Sequence, residues 1–458
     1  MKVLLVKPNL GHATLAGNDF VELEPLELEY LAAGIPHHDV RLIDMRYDND
    51  LDDTLTRFRP DIVAATAYSV HFKNVLGIMR TARRLDPNVF TVIGGHHATL
   101  LPNDFDREEI DAVVIGEGVF SFAELVNNLK RNLPLEAIPG LAIRHRDKFH
   151  FTKPRADIGS IDLLPLPNRK ITEKHRKKYF YLWWKPAALI RASIGCAYRC
   201  SFCPIWSAAN GRCEYRSPEA VADELRTVKE NFVYFCDDNA FHDYKKMKRL
   251  GRIIKEEKIN KEYFFFSRPD TLLKHPDLVE DWAGIGLRQV FIGVEVLDTE
   301  KMRSLHKYME ADSSREAIRI LNANGIDPFA AFMVFPDFSE DDFRRILDYM
   351  DEMKIYFNEV TVLTPAPGSE LYFQEKANLI SDDYDLYDYL HAVLPTKLHP
   401  REFYRHLANL YIKAYSPSRA IRAAPHFRPA LTPRRLMEIV RKGSRNYFSI
   451  RNAWKSFQ

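Results

Sequence analysis

The stretch Ser193-Ile-Gly-Cys196-Ala-Tyr-Arg-Cys200-Ser-Phe-Cys203-Pro204 places three of the chain's five cysteines within eight residues. It directly follows a short apolar run, Ala188–Ala192, that reads as a strand. Three thiolates on one short loop can hold three irons of a cubane and leave the fourth iron open. An open iron can bind the amino and carboxylate groups of S-adenosylmethionine (SAM), whereas a cluster closed by four ligands only carries electrons. The competing reading is zinc, which usually takes four ligands in paired spacing, with Cys213 as the fourth. Otherwise Cys213 and Cys236 read as small apolar side chains. Five cysteines in 458 residues do not suggest a disulfide scaffold, and their clustering points to metal ligation in a reducing compartment.

Outward from this loop, strand and helix signals alternate to about Tyr372. Candidate strands are Ala188–Ala192, Phe232–Phe235, Tyr263–Ser267, Gln289–Val294, Pro328–Val334 and Glu359–Leu363, separated by helical patterns such as Pro218–Lys229 and Ser314–Asn324. Six βα units make a partial TIM-like barrel rather than a closed one of eight. The first 130 residues alternate in the same way. Val3–Val6, Val40–Ile43, Ile62–Ala65, Phe90–Ile93 and Ala112–Ile115 read as strands, and Leu26–Ala33 and Val75–Leu85 as helices. This predicts a doubly wound, Rossmann-like parallel sheet, whose ligands bind outside the carboxyl ends of the strands. Small residues stand at those ends: Thr66-Ala-Tyr-Ser69, Gly94-Gly-His-His-Ala-Thr99 and Gly116-Glu-Gly118. The expected division is 1–135 for the first domain, 136–185 for a linker, 186–375 for the barrel and 376–458 for a helical basic region. The linker reading rests on Leu163-Leu-Pro-Leu-Pro167 and the basic run Lys174-His-Arg-Lys-Lys178.

The alternation makes the chain α/β, and its composition, 46% hydrophobic and 28% charged, is that of a soluble globular protein. No run of 18 apolar residues is present. The opening run from Met1 to Pro8 reads as a strand rather than a signal peptide, so a cytoplasmic location is expected. The net charge of +2 hides a tail from Lys397 to Gln458 with 14 Lys and Arg against two Glu.

The spacing Cys196-x3-Cys200-x2-Cys203, with the aromatic Phe202 before the third cysteine, resembles the signature of the radical SAM superfamily. The resemblance runs through the second half of the chain. It implies a [4Fe–4S] cluster on Cys196, Cys200 and Cys203. It also implies SAM contacts from Phe202, from Asp237 in Phe235-Cys-Asp-Asp-Asn239, and from Arg268 at the third strand's end. Glu295 in Gly293-Val-Glu295 and Thr364 in Thr364-Pro-Ala-Pro-Gly-Ser-Glu370 complete that set. Asp238 reads equally well as a helix N-cap.

A doubly wound domain ahead of such a barrel resembles the cobalamin-binding architecture of class B radical SAM methylases. Glu24-Pro-Leu-Glu-Leu-Glu-Tyr30 and the three strand-end segments carry this resemblance. It implies cobalamin contacts at Thr66, Ser69, Gly94, Gly95, Gly116, Glu117 and Gly118, where small residues let a bulky corrin approach the backbone. The chain departs from one cobalamin pattern, Asp-x-His-x-x-Gly, which leaves the lower face of the cobalt unassigned. His71, His96 and His97 stand at strand ends and read as hydrogen-bonded histidines rather than cobalt ligands. The alternative for this domain is a fold that no longer binds cobalamin.

Val334-Phe-Pro-Asp-Phe338, Val362-Leu-Thr-Pro365, Asp383-Tyr-Asp-Leu-Tyr-Asp388 and His391-Ala-Val-Leu-Pro-Thr-Lys-Leu398 resemble the hopanoid C-3 methylase group. The resemblance implies reductive cleavage of SAM, hydrogen abstraction from an unactivated carbon of a lipid such as a hopanoid, and methyl transfer from cobalamin. It implies an external electron donor such as flavodoxin or ferredoxin. The alternatives are non-methylating carbon–carbon bond formation or ring closure on a lipid or tetrapyrrole, and a non-catalytic metal-binding or electron-carrying protein. The basic tail carries Tyr404, Tyr411, Phe427, Tyr447, Phe448 and Trp454, which fits peripheral contact with the inner face of a membrane. No nucleic acid partner is expected, since no nucleic-acid-binding module is recognisable.

Overall fold

The computed structural model describes residues 1–15, 20–155, 160–414, 416–426 and 432–457. Phe427 lies outside them. Val3–Val6 is apolar without alternation because its strand is buried on both faces, as in the middle of a parallel sheet. The first sheet contains β1 (Lys2–Lys7), β2 (Asp39–Asp44), β3 (Ile62–Thr66), β4 (Phe90–Gly94), β5 (Ala112–Val114), β6 (Leu141–His145) and β7 (Lys148–Phe151). Its order is β2-β1-β3-β4-β5-β6-β7. Strands β1–β5 are parallel. Helices α1 (Leu26–Gly34) and α4 (Gly118–Arg131) pack on one face, and α2 (Leu51–Phe58) and α3 (Phe72–Leu85) on the other. This is the doubly wound fold expected.

The second sheet contains β8 (Ala187–Ile190), β9 (Phe232–Phe235), β10 (Glu262–Ser267), β11 (Leu287–Glu295), β12 (Asp327–Val334) and β13 (Phe357–Val362). The six neighbour one another in chain order and all pair in parallel. Alternation along each strand separates two layers. Phe235, Phe265, Ile292, Phe332 and Val360 belong to the layer under the helices. Tyr234, Phe264, Phe329 and Phe357, with Phe266 and Phe291 packed on them, belong to the inner layer. Tyr181 and Trp184 join that inner layer and close the bottom of the barrel.

One expectation needs correction. The segment 136–185 is not simply a linker, because β6 and β7 form a hairpin that pairs antiparallel with β5 and extends the first sheet. Its strands are four or five residues long, too short to stand out beside the Pro-rich stretch that follows. The C-terminal region is mainly helical, as expected, apart from one stretch. Residues 387–399 have no regular structure. Asp388 instead accepts the backbone N–H groups of Leu390 and His391, each at 2.9 Å, and closes a buried turn. Helix resumes at Pro400–Ala414, Pro417–Ala423 and Pro433–Asn452.

A buried ionic network joins the two sheets. Glu24 accepts the Leu189 N–H at 2.5 Å and pairs with Arg176, which also holds Glu230 at 2.6 Å. Arg169 holds Glu224 at 2.8 Å. Glu24 and Glu29, both in the segment that resembles cobalamin enzymes, thus serve the junction between domains.

Candidate cluster and cofactor site

The cluster loop leaves β8 at the carboxyl end of the barrel. Asp237, just past β9, fixes its base by accepting the Ala192 N–H at 3.1 Å and the Ser193 hydroxyl. Burial raises the Asp237 carboxyl to about 6, against the lowering effect of these bonds. Gly195 turns the loop with φ +76°, and a Cβ there would lie 2.1 Å from the Arg212 carbonyl oxygen. Further along, Ser201 donates its N–H to Leu305 at 2.9 Å and accepts that of Leu371 at 2.8 Å. The loop is therefore gripped by three separate strand-to-helix connections of the barrel.

Cys200 is buried, and Cys196 and Cys203 are half-buried. Burial pushes all three thiols up, Cys196 to about 11, which disfavours the free thiolates. At Cys200, the Lys307 and Arg268 cations act in the opposite sense. Among the described residues, no three His, Cys, Asp or Glu side chains converge as on a single ion. The ligands of a cubane sit on separate irons, so three thiols spread along one loop suit it. The donor set fits a [4Fe–4S] cluster, whose positive iron offsets the cost of burying thiolates.

The residues expected to meet SAM divide into two groups. Glu295 ends β11 with φ +62° and pairs with Lys307 at 2.6 Å. Lys307 also donates to the Gly293 carbonyl at 2.8 Å. Arg268 lies over the Tyr198 ring at 3.7 Å, pairs with Asp270 at 2.9 Å and points an N–H at the Cys200 sulfur at 3.7 Å. These two stand at the barrel mouth. Asp237 has both oxygens engaged inside the protein, Thr364 donates its hydroxyl to the Val362 carbonyl at 3.0 Å, and Phe202 packs against the barrel core.

A cavity of about 370 Å³ lies between the two sheets. One wall holds Thr66, Gly94, Gly95, Gly116, Glu117 and Gly118, the strand-end residues expected to meet cobalamin. The other wall holds Arg191, Ser193, Gly195, Cys236 and Asp238 from the barrel mouth. Gly95 has φ +102°, and a Cβ there would lie 2.8 Å from the Ala67 nitrogen and 2.9 Å from Thr66 Oγ1. Only a glycine keeps this strand end open, which suits the approach of a large planar cofactor. Ser69 does not line the cavity; its hydroxyl meets His97 Nδ1 at 2.8 Å. His97 Nε2 meets Asp104 at 3.1 Å, and Tyr384 donates to the same carboxylate at 2.6 Å. His71 accepts the Tyr68 N–H at 3.3 Å on Nδ1. His71 and His97 are thus hydrogen-bonded, as expected, while His96 stacks on Tyr68 at 5.4 Å in the cavity wall.

Several residues of the site were not expected. Asp238 does not cap a helix; it faces the cavity, and burial, with Asp237 beside it, raises its carboxyl to about 7. Arg191 reaches Glu117 at 3.0 Å. An arginine inside an otherwise apolar strand end was the available signal. Lys307 and Tyr389 come from distant loops, and no local pattern marks them. Tyr389 (φ +62°) accepts the Val362 N–H at 2.7 Å on its carbonyl, and its ring lies within electrostatic reach of Cys203.

An open-iron thiol loop on a partial barrel, facing a Rossmann-like domain across a cavity, defines a radical SAM enzyme with a cobalamin-binding domain. Residues 190–350 match the Radical SAM superfamily, and residues 14–126 match the B12 binding domain. The chain is 32% identical over 417 residues to the hopanoid C-3 methylase of Methylococcus capsulatus, covering 89% of this chain and 79% of that protein. The solved structure of the radical SAM methyltransferase TsrM from Kitasatospora setae, with cobalamin and a [4Fe–4S] cluster bound, superposes with a TM-score of 0.65 at 18% identity. It covers 81% of this chain and 77% of TsrM. The cobalamin-dependent radical SAM enzyme OxsB superposes with a TM-score of 0.72 at 14% identity, over 98% of this chain and 71% of that one. The chain belongs to the cobalamin-dependent radical SAM methyltransferase family. Its cofactors are a [4Fe–4S] cluster, SAM and cobalamin, and it requires a small-molecule substrate and a reductant.

Proposed function

We propose that the chain methylates an unactivated carbon of a polycyclic lipid such as a hopanoid. The observation that carries this reading is the inner layer of the barrel, where the half-buried rings of Phe266 and Phe291 stand on the buried Tyr234 and Phe329 and give the lumen an aromatic floor. The likeness to a hopanoid methylase supports it. When bound, the cluster and SAM supply a carbon radical and cobalamin supplies the methyl group. Cys196, Cys200 and Cys203 hold the cluster. Glu295, with Lys307, and Arg268 orient SAM at the barrel mouth, and Asp237 positions the loop rather than touching SAM. Thr66, Gly94, Gly95, Gly116 and Gly118 shape the cobalamin side of the cavity, and Glu117 holds Arg191 across it.

The electron comes from an external donor such as a flavodoxin or ferredoxin. The lipid is reached at the inner face of a membrane through the basic C-terminal helices, where Ile412, Ile421, Met437 and Phe448 are exposed among arginines and lysines. Among the described residues, no helix is long and apolar enough to cross a membrane. Co-sedimentation with vesicles should be stronger for anionic than for zwitterionic lipid and should fall with salt. Equal binding to both would remove the membrane contact from the proposal.

The central test uses protein purified without oxygen and reconstituted with iron, sulfide and cobalamin. Dithionite, methyl-labelled SAM and a hopanoid-containing lipid extract are then added. The expected result is 5′-deoxyadenosine together with label in a lipid. Formation of 5′-deoxyadenosine and labelled cobalamin with no labelled lipid would overturn the lipid reading.

A further inference from the structure

The barrel lumen is layered by strand register. Phe266, Phe291, Phe329 and Phe357 are register partners on β10–β13, so four phenyl rings share one level. Phe266 and Phe291 are 4.6 Å apart by ring centroid, and Phe291 and Phe329 are 5.4 Å apart. One level nearer the carboxyl ends, the partners are Gly293, Ala331 and Glu359. On the Gly293 side the Glu295–Lys307 pair fills this level, since a Cβ there would lie 2.5 Å from Glu295 Oε1 and 2.8 Å from Lys307 Nζ; the small Ala331 side chain leaves room between that pair and Glu359. Glu359 enters this room from β13, facing that pair. It lies on the same strand face as Phe357, two residues away, while Val360 and Val362 pack under the helices.

Glu359 is open to this space although protein surrounds it, with Tyr234, Tyr389 and Glu295 within electrostatic reach. The neighbouring carboxylate, Glu295, already has Lys307 as its partner. Among the described residues, Glu359 has no hydrogen-bond or ion-pair partner. A carboxyl open to the lumen and without a protein partner is free to bond to a ligand that enters there. Burial, with Glu295 nearby, raises it to about 7, so near neutrality it can both donate and accept.

We propose that Glu359 determines specificity, its carboxyl binding a hydrogen-bond donor, a hydroxyl or an ammonium, carried by the polycyclic substrate. This rests on the reading of the lumen as the site of a ring-containing substrate, and it adds a polar requirement above the phenyl level.

Three small probes test this on the holoenzyme by equilibrium dialysis: decalin, decahydro-2-naphthol and 2-aminodecalin. The wild type should bind the alcohol or the amine about tenfold more tightly than decalin, the size of one hydrogen bond to a buried carboxyl. Glu359→Leu should erase that preference while 5′-deoxyadenosine formation from SAM stays unchanged. If the donor is a hydroxyl, Glu359→Gln keeps the preference; if it is an ammonium, Glu359→Gln loses it. The proposal is overturned if the wild type shows no preference, if the preference survives Glu359→Leu, or if no probe binds. A fall in 5′-deoxyadenosine in Glu359→Leu would also overturn it, because the residue would then act on SAM. None of these outcomes bears on methylation itself, which stands or falls on transfer of label from methyl-labelled SAM.

Discussion

Arg191, at the end of the first barrel strand, reaches Glu117 at the start of helix α4 across the cofactor cavity, 3.0 Å apart. The guanidinium also lies over the Tyr30 ring at 4.8 Å, so an arginine of the barrel is held by two groups of the first domain. Both side chains are mostly buried, 24% and 14% exposed, so removing one partner strands the other charge. Glu117→Ala should cost about 1–3 kcal/mol. The double variant with Arg191→Ala should recover part of that cost, because no lone charge remains. A double-mutant cycle by urea unfolding measures this. Strict additivity of the two single changes would show that the pair is not coupled.

Asp237 bridges the two residues that precede the cluster loop, Ala192 and Ser193. Asp237→Ala removes both bonds and leaves a buried N–H without a partner, at a cost of about 1–3 kcal/mol. Iron content after anaerobic reconstitution should fall, and 5′-deoxyadenosine formation with it. Cys213→Ala should retain the cluster, since Cys213 lies outside the three-thiol loop, whereas Cys200→Ala should lose it. Iron and sulfide analysis with electron paramagnetic resonance distinguishes the three variants. Equal loss in Cys213→Ala and Cys200→Ala would point to a four-cysteine site.

Both sheets were legible because buried parallel strands write themselves as short apolar runs between helical patterns, as at Val3–Val6 and Phe232–Phe235. The thiol loop was legible because its three cysteines are local in sequence. The hairpin Leu141–Phe151 was not, because its second strand has one buried residue in four. Strand-end position alone could not separate Glu295, at the barrel mouth, from Asp237, which turns inward to hold the loop. Lys307 and Tyr389 reach the site from other loops through tertiary packing, which no spacing rule encodes. The ion pairs of Glu24 and Glu29 were not legible for the same reason: their partners, Arg169 and Arg176, lie more than 130 residues away.

His71 is buried, and burial, followed by the Lys7 and Arg46 cations, lowers its pKa from 6.5 to about 3. The folded protein thus keeps this ring neutral where the unfolded chain takes up a proton. Stability from this group is fully present above pH 6.5 and is lost progressively as pH falls towards 3. The slope it contributes is at most about one proton, roughly 1.4 kcal/mol per pH unit. His71→Gln has no such proton to take up, so its unfolding midpoint should fall less than that of the wild type between pH 6.5 and 5. Urea melts at several pH values check this. Parallel curves for the two proteins would mean that His71 titrates alike in both states.

Gly95 gives the most direct test of how the first domain receives its cofactor. Its backbone has φ +102°, and a Cβ would press on both the Ala67 nitrogen and Thr66 Oγ1. Neither atom can withdraw easily, because Ala67 donates its N–H to the Gly94 carbonyl at 2.8 Å and Thr66 is the last residue of β3. Gly95→Ala should therefore push apart the ends of β3 and β4, at a cost of roughly 1–3 kcal/mol from backbone strain. The displacement falls on the cavity wall itself. Retention of cobalamin through gel filtration should drop, while the cluster, on the far wall, should form as in the wild type. Absorbance of the two chromophores in one sample reads both effects. Parallel loss of cluster and cobalamin would indicate general unfolding, and full retention of cobalamin would mean that this strand end does not shape its site.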